Sequence, residues 1–260
     1  MVDILPVQGV KAITYLTTCP DKQIVLSTLC SLLNTALKYN PATWRVPYDH
    51  LVFQDSKQAF VTYCLQVLLV LVVYPVPENE TGTTPKNNFR HFLGRLHRPQ
   101  DFQFLVDGMT RILNQPVGVP HLVIANVADK KQLTASASYI PMKTLTWAPE
   151  MLMLFWEALQ WNKRFRSFIV DTDRAHDFVV LLLYYAMDNK NDPTKQGMVR
   201  MCIFILQTLS VEPNFGKNLN KAFEGQDSLP ANIKIANFHG SYADYLITVR
   251  EISGTQNIRD

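Results

Sequence analysis

The sequence predicts an all-α fold: an irregular armadillo/HEAT-like helical solenoid segment interrupted by two long loops. Three observations carry this expectation. Apolar residues recur at three-four spacing along most of the chain. Proline- and asparagine-rich punctuation cuts that pattern into segments joined by short gaps, which favour antiparallel neighbours. Apolar residues make up 47% of the 260 and charged residues 18%, a balance suited to helices covered on more than one side. No exact repeat is present, but helix pairs joined by turns match stacked helical hairpins. The whole chain, 1–260, reads as a single segment of such a stack, with loops at 75–88 and 116–147.

The elements follow in order. Pro20-Asp21 marks a helix start, and Val25, Leu29, Leu32, Leu33, Ala36 and Leu37 form one face of a helix that ends near Asn40-Pro41. Tyr48 to Asp55 reads as a connector. A long apolar helix follows, from about Ser56 to Tyr74. Gln58 to Pro77 holds twenty uncharged residues and so reaches bilayer-spanning length. Thr62, Tyr63, Cys64 and Gln66 dilute it and Pro75 and Pro77 end it, which favours a buried core helix over a membrane span. Pro75 to Asn88 is polar, broken and aperiodic, a mobile loop. Phe89, Phe92, Leu93 and Leu96 make a short amphipathic helix. Pro99 suits the first position of the next, where Phe102, Leu105, Val106, Met109, Ile112 and Leu113 share a face. Pro116 to Trp147 reads as a long insertion. Helices resume at Met151–Trp161, Lys163–Ile169, Arg174–Met187 and Thr194–Val211. Val179–Leu183 and Ile203–Leu206 have strand-like composition, but Asp173 or Asp177 before the first and Asp188–Pro193 after it are helix boundaries. A last helix begins at Tyr242. The first helix has no polar capping turn before it, so both ends look like the interior of a longer stack.

Chemistry-bearing patterns are few. Cys19, Cys30, Cys64 and Cys202 are widely spaced and form no C-x-x-C, which removes support for zinc or thiol-disulfide chemistry. A net charge of +3 is too mild for a nucleic-acid partner. The N-terminus lacks a secretory pattern, Val2 stands where N-myristoylation needs Gly, and Asn79-Glu80-Thr81 is a chance sequon. His50, His91, His97, His121, His176 and His239 form no ligand cluster and suit surface or capping positions. No nucleophile elbow or phosphate-binding glycine loop occurs. The expectation is therefore no enzyme, no cofactor, no metal and no small-molecule substrate.

Lys86, Arg90, Arg95 and Arg98, with His91 and His97, stand without an acid between Glu80 and Asp101. They form either the solvated face of a short helix or a contact for an anionic membrane surface. Phe155, Trp156, Trp161, Phe165 and Phe168 fall at core spacing. Asp173 and Asp177 sit where a helix begins and favour its dipole. Asn214 to Asn220 reads as a polar structural knot: Asn and Gly tolerate left-handed backbone, Phe215 and Leu219 pack, and Asn214, Asn218 and Asn220 satisfy backbone groups. Ser241 is an N-cap, with Asp244 completing a capping-box pattern.

Several blocks, in order, carry a resemblance: Ser31-Leu32-Leu33-Asn34-Thr35; Pro47-Tyr48-Asp49-His50-Leu51; Arg95-Leu96-His97-Arg98 with Asp101-Phe102-Gln103-Phe104; Leu154-Phe155-Trp156 with Asn162-Lys163-Arg164-Phe165; Asn214-Phe215-Gly216-Lys217-Asn218-Leu219-Asn220; and Phe238-His239-Gly240-Ser241-Tyr242-Ala243-Asp244-Tyr245-Leu246. The chain resembles a central segment, of fungal type, of the high-temperature-induced dauer-formation protein family, distant relatives of dymeclin. The resemblance implies a cytosolic protein peripherally bound to Golgi membranes. It implies a scaffold for other trafficking proteins in secretory traffic, within a longer chain, and not an enzyme. A soluble helical adaptor of another pathway and a protein spanning the membrane at 58–77 are the alternatives. Within the blocks, Asp101, Phe102, Asn214, Phe215, Gly216, Asn218, Asn220, Gly240 and Asp244 are expected to be structural.

Overall fold

A computed structural model describes residues 7–39, 56–78, 82, 84–114, 147–224, 229–230 and 232–256. Among these, helices run α1 (Val7–Thr18), α2 (Lys22–Lys38), α3 (Ser56–Val73), α4 (Asn88–Leu93), α5 (Pro99–Leu113), α6 (Ala148–Trp161), α7 (Lys163–Asp171), α8 (Arg174–Asn189), α9 (Gln196–Ser210), α10 (Pro213–Leu219) and α11 (Tyr242–Gln256), with a 3-10 turn at Pro193–Lys195 before α9. No strand occurs among the described residues; a single antiparallel bridge joins Ala222 to Ser241. The fold is all-α and solenoid-like. Helix α2 packs on α3, α4 and α5; α6 packs on α3, α4, α5, α7 and α9; α8 packs on α9 and α11.

That succession makes α6 the hub, and its sequence fits the task. Met151, Leu152, Leu154, Phe155 and Leu159 are all fully enclosed. Phe155 stacks on Phe178 of α8 at 4.1 Å and meets Phe165 of α7 edge-on at 6.3 Å. Phe102 of α5 joins the same cluster through Phe165 and Phe168. Phe155 and Phe165 are thus core, as their spacing predicts, whereas Trp161 is half exposed.

Some expectations hold and others are refined. Helix α1 precedes the first one expected; its Thr17 and Thr18 hydroxyls donate back to the Ile13 and Thr14 carbonyls, so threonines that read as helix-poor are accommodated locally. The start of α2 is capped, because the Asp21 carboxylate accepts from the Gln23 and Ile24 amides. Trp147, the last residue of the expected second loop, is the N-cap of α6: it is buried, stacks at a tilt on Tyr39 and donates its indole N–H to Thr62 Oγ1 at 2.7 Å. The 48–55 connector and residues 116–146 of the second loop lie outside the described residues, as do Asn79, Glu80, Thr81 and Thr83 in the first.

Helix α3 buries Val61, Leu65, Leu68, Leu71 and Val72 and ends at Val73. No helix among the described residues is long and apolar enough to cross a membrane. The core-helix reading of Gln58 to Pro77 therefore stands. Its outer row of Phe60, Tyr63, Val67 and Val70 nonetheless remains 43–66% exposed.

Candidate functional site

Asparagines at the helix junctions, inside and outside the sequence blocks, share one device. Each helix end leaves carbonyls unsatisfied and each helix start leaves amides unsatisfied. An asparagine carries both an acceptor and a donor pair, so one side chain can serve an end and a start together. Asn87 caps α4, its Oδ1 accepting from Arg90 N at 3.1 Å, while its Nδ2 donates to Leu71 O at 2.8 Å and Tyr74 O at 3.2 Å at the end of α3. Asn162 repeats this one junction later: Oδ1 accepts from Phe165 N at the start of α7, and Nδ2 donates to Leu93 O at 3.0 Å and Leu96 O at 2.9 Å after α4. Asn218 of α10 donates to Val170 O at the end of α7, and Asn214 donates to the Asp171 carboxylate. Asparagine clasps thus run from α3 through α4 to α7 and on to α10.

The polar knot at Asn214–Asn220 is a helical turn rather than left-handed backbone. Pro213 occupies its first turn, and Gly216 has ordinary helical geometry with open space around its Cα. Phe215 and Leu219 are buried, as expected. Asn214 serves a carboxylate and not a backbone group, and Asn220 ends the helix through its own N–H to the Asn218 and Lys217 carbonyls. The expected capping box is present: Asp244 N donates to Ser241 Oγ, and Ser241 N donates to Asp244 Oδ2 at 2.8 Å. The bonds from the Ser241 amide and hydroxyl hold the Asp244 carboxyl below the usual range. A Cβ at Gly240 would lie 2.9 Å from the Phe238 ring and 3.1 Å from Asp244, so a larger residue there must displace one of these side chains. His176, expected at a surface or capping position, is buried and makes a capping contact: it stacks on Tyr242 at 4.3 Å and its Nε2 bonds the Asn218 carbonyl in the last turn of α10.

Asp173, at the start of α8, adopts a left-handed conformation (φ 61°) and makes no capping bond; its carboxylate pairs with Lys221 instead. Asp177 lies inside the first turn, pairs with Arg174 at 3.7 Å, and burial pushes its carboxyl up to about 6 against that cation. Asp101 occupies the first turn of α5, and Phe102 is core.

The basic segment divides. Arg90 is no surface cation. Its Nε donates to Val72 O at 3.0 Å and its Nη2 to Val73 O at 2.9 Å, closing the end of α3. Its guanidinium sits 4.8 Å from the centre of the Trp161 ring and 3.9 Å from the buried Glu157 carboxylate. Burial raises the Glu157 carboxyl, and Arg90 and the Trp161 N–H oppose that shift. Lys86, Arg95 and Arg98 are exposed. Burial, and then the charges of Lys86 and Arg95, hold His91 below its ordinary value, so those two cations flank one imidazole. No group of three or more metal-ligating side chains occurs among the described residues. Cys202 is enclosed, and burial pushes its thiol up to about 12, far from a nucleophile at neutral pH.

A clasped, all-α and solenoid-like helical array is the class this fold defines, and the comparisons give its family. The family model described as "Hid1: High-temperature-induced dauer-formation protein" matches residues 1–257, and the chain belongs to that family. It is 32% identical over 247 residues to Protein HID1 of mouse, covering 88% of this chain and 29% of that protein. It is 30% identical over 247 residues to the Ubp5-interacting protein ftp105 of Schizosaccharomyces pombe, covering 90% of this chain and 25% of that one. The human Protein HID1 matches at 32% over the same length. The chain thus spans less than a third of the length of these relatives. No solved structure matches.

Proposed function

We propose that this chain is a non-enzymatic scaffold segment in Golgi-associated secretory membrane traffic, working through protein–protein contacts at the membrane surface. The observation that carries the reading, beside family membership, is the outer face of α3. A helix apolar on every side belongs between neighbours, yet Phe60, Tyr63, Val67 and Val70 stand in a row open to solvent at the spacing another helix packs against. That one fission-yeast relative is named for an interaction supports protein partners. Lys86, Arg95 and Arg98 are the groups for peripheral contact with anionic lipid, and Arg90 is not among them. Three surface cations contribute about 3 kcal/mol at an anionic bilayer, enough to orient a scaffold but not to anchor it alone.

Expression of the tagged chain, followed by fractionation and imaging against Golgi markers, tests the reading. Enrichment with Golgi membranes that carbonate releases is the expected result. A purely nuclear or diffuse pool, also for the full-length gene product, sinks the Golgi assignment in favour of an adaptor in another pathway. Co-sedimentation with phosphatidylserine-containing vesicles tests the basic edge: Arg95→Glu with Arg98→Glu should lower the bound fraction, and unchanged binding would remove that edge from the reading.

A further inference from the structure

One of the fifteen prolines in the chain follows a hydroxyl-bearing residue, at Thr84-Pro85. The pair stands in the link between α3 and α4, where residues 84–87 belong to no helix. Proline holds the residue before it in extended backbone. Thr84 is exposed and Pro85 half-buried. The link is tied down beside them: Val76 is buried, and the Asn87 side chain donates to Leu71 O and Tyr74 O. Thr84 is thus displayed three residues from a fixed point. The substrate cleft of a proline-directed protein kinase takes such a segment. It binds extended chain and spares no acceptor for an N–H after the hydroxyl residue, and proline has none.

The surroundings of Thr84 are cationic. No acid stands between Glu80 and Asp101 in the sequence, and Lys86, Arg95 and Arg98 are exposed. Lys86 and Arg95 both act on the His91 imidazole, so α4 brings them to one patch. Two residues of extended chain span at most about 7 Å, which leaves the Lys86 ammonium within reach of a group on Thr84. A phosphate there carries a charge of about −1.5 to −2 and three strong acceptor oxygens. Set against the three surface cations, it leaves about one net positive charge on this edge.

We propose that Thr84 is a phosphorylation site for a proline-directed protein kinase, and that its phosphate neutralises the edge of Lys86, Arg95 and Arg98 and releases the chain from anionic lipid. In the transfer, Thr84 Oγ attacks the γ-phosphorus of magnesium-bound ATP. The new O–P bond forms as the bond from that phosphorus to the bridging oxygen breaks, ADP leaves, and the hydroxyl proton passes to the catalytic carboxylate of the kinase. The phosphate then pairs with Lys86 in place of a lipid headgroup. Charge changes and the fold does not: the Asn87 clasp runs to α3 and to Arg90 N, and none of these bonds involves Thr84. The release rests on the reading of this edge as the lipid contact; the modification itself does not.

Incubation of the whole chain with a mitogen-activated and a cyclin-dependent protein kinase and magnesium ATP, followed by peptide mass mapping, tests the site. Phosphate at Thr84 is expected, with none there in Thr84→Ala and sharply less in Pro85→Ala; circular dichroism verifies that every form folds. Nuclear magnetic resonance titration of the modified chain should find His91 moved up, because the phosphate offsets the Lys86 charge that helps hold it down. Each surface cation raises affinity for an anionic bilayer about fivefold, so phosphorylation should weaken co-sedimentation with phosphatidylserine-containing vesicles about thirtyfold. Thr84→Ala carried through the same kinase treatment should bind as the untreated parent does. No phosphate at Thr84, an unmoved His91, or equal vesicle binding by the modified and unmodified chains would each overturn the proposal. An unmodified chain that ignores the vesicles removes the lipid reading and the release with it, while phosphate incorporation and the His91 shift still decide the site.

Discussion

Replacing Asn162 by alanine should cost more than its position in a turn implies. The side chain is almost fully enclosed and makes three bonds: one accepted from Phe165 N and two donated to Leu93 O and Leu96 O. Losing the N-cap removes about 1 kcal/mol. Leaving carbonyls in a dry site costs about 1–3 kcal/mol each, less for Leu93 O because it keeps a long bond of 3.4 Å from Leu96 N. The total is about 3–4 kcal/mol, a large share of the roughly 5–15 kcal/mol that holds a typical domain together. Asn162→Asp separates the two halves of the clasp. It keeps the acceptor for Phe165 N but turns a carboxylate on two carbonyl oxygens, so at neutral pH it should be at least as damaging as alanine. Part of the loss should return in acid, where a protonated carboxyl donates to one carbonyl. Urea denaturation followed by far-ultraviolet circular dichroism measures all three proteins. An alanine variant within about 1 kcal/mol of the parent, or an aspartate variant as stable as the parent, would refute the clasp.

Three further perturbations test neighbouring parts of the structure. Gly108→Ala gains helix propensity yet should destabilise by about 1–3 kcal/mol in urea melts, since a Cβ there lies 2.7 Å from Leu37 Cβ, where α5 crosses α2. Arg90→Gln should be destabilising and more so at pH 7 than at pH 5, because it withdraws the cation that holds the buried Glu157 carboxyl down; equal losses at both pH values would contradict this. Asp177 binds its proton more tightly folded (to about 6) than unfolded, so stability from this group is fullest below the ordinary carboxylate range. That contribution falls as pH rises to about 6 and is flat above, by up to about 3 kcal/mol. Asp177→Asn should abolish that fall, and a parent-minus-variant difference that does not change between pH 4 and 6.5 would show that the carboxyl is not perturbed.

What was legible in the chain follows from the range of the interaction. Helical spacing is local, so the face of α5 from Phe102 to Leu113 and the core of α8 could be read directly, as could the Ser241–Asp244 box, whose partners are three residues apart. Half of the Asn87 clasp and half of the Asn162 clasp are equally local: Asn87 to Arg90 and Asn162 to Phe165 are N-cap spacings. The other half is not, because Asn162 reaches carbonyls 66 and 69 residues away. Arg90 shows the same limit more sharply. Among cations and histidines it reads as one more surface charge, and only the arrival of α3 and α6 beside it turns it into the cap of one helix and the partner of Glu157 in the other. Helix α1 went unread for a different reason: its threonines lower helix propensity, and their back-bonds to their own turn leave no pattern in residue type alone.

The clasps also bear on where recognition can lie. Asn162, Asn218, His176 and Asp244 spend their hydrogen-bonding capacity on backbone groups or on each other's turns, and Phe102, Phe215 and Leu219 are enclosed. Residues committed in this way hold helix junctions at fixed angles and offer little to a partner. A stack whose junctions are pinned from inside can keep its outer helix faces apolar without collapsing onto them. The surfaces left for binding are therefore those whose side chains stay exposed: the α3 row, the basic edge at Lys86, Arg95 and Arg98, and the apolar face at Phe204. On this reasoning a substitution at a clasp lowers stability and all binding together, whereas one at Tyr63, Arg95 or Phe204 removes a single interaction from a protein that still folds.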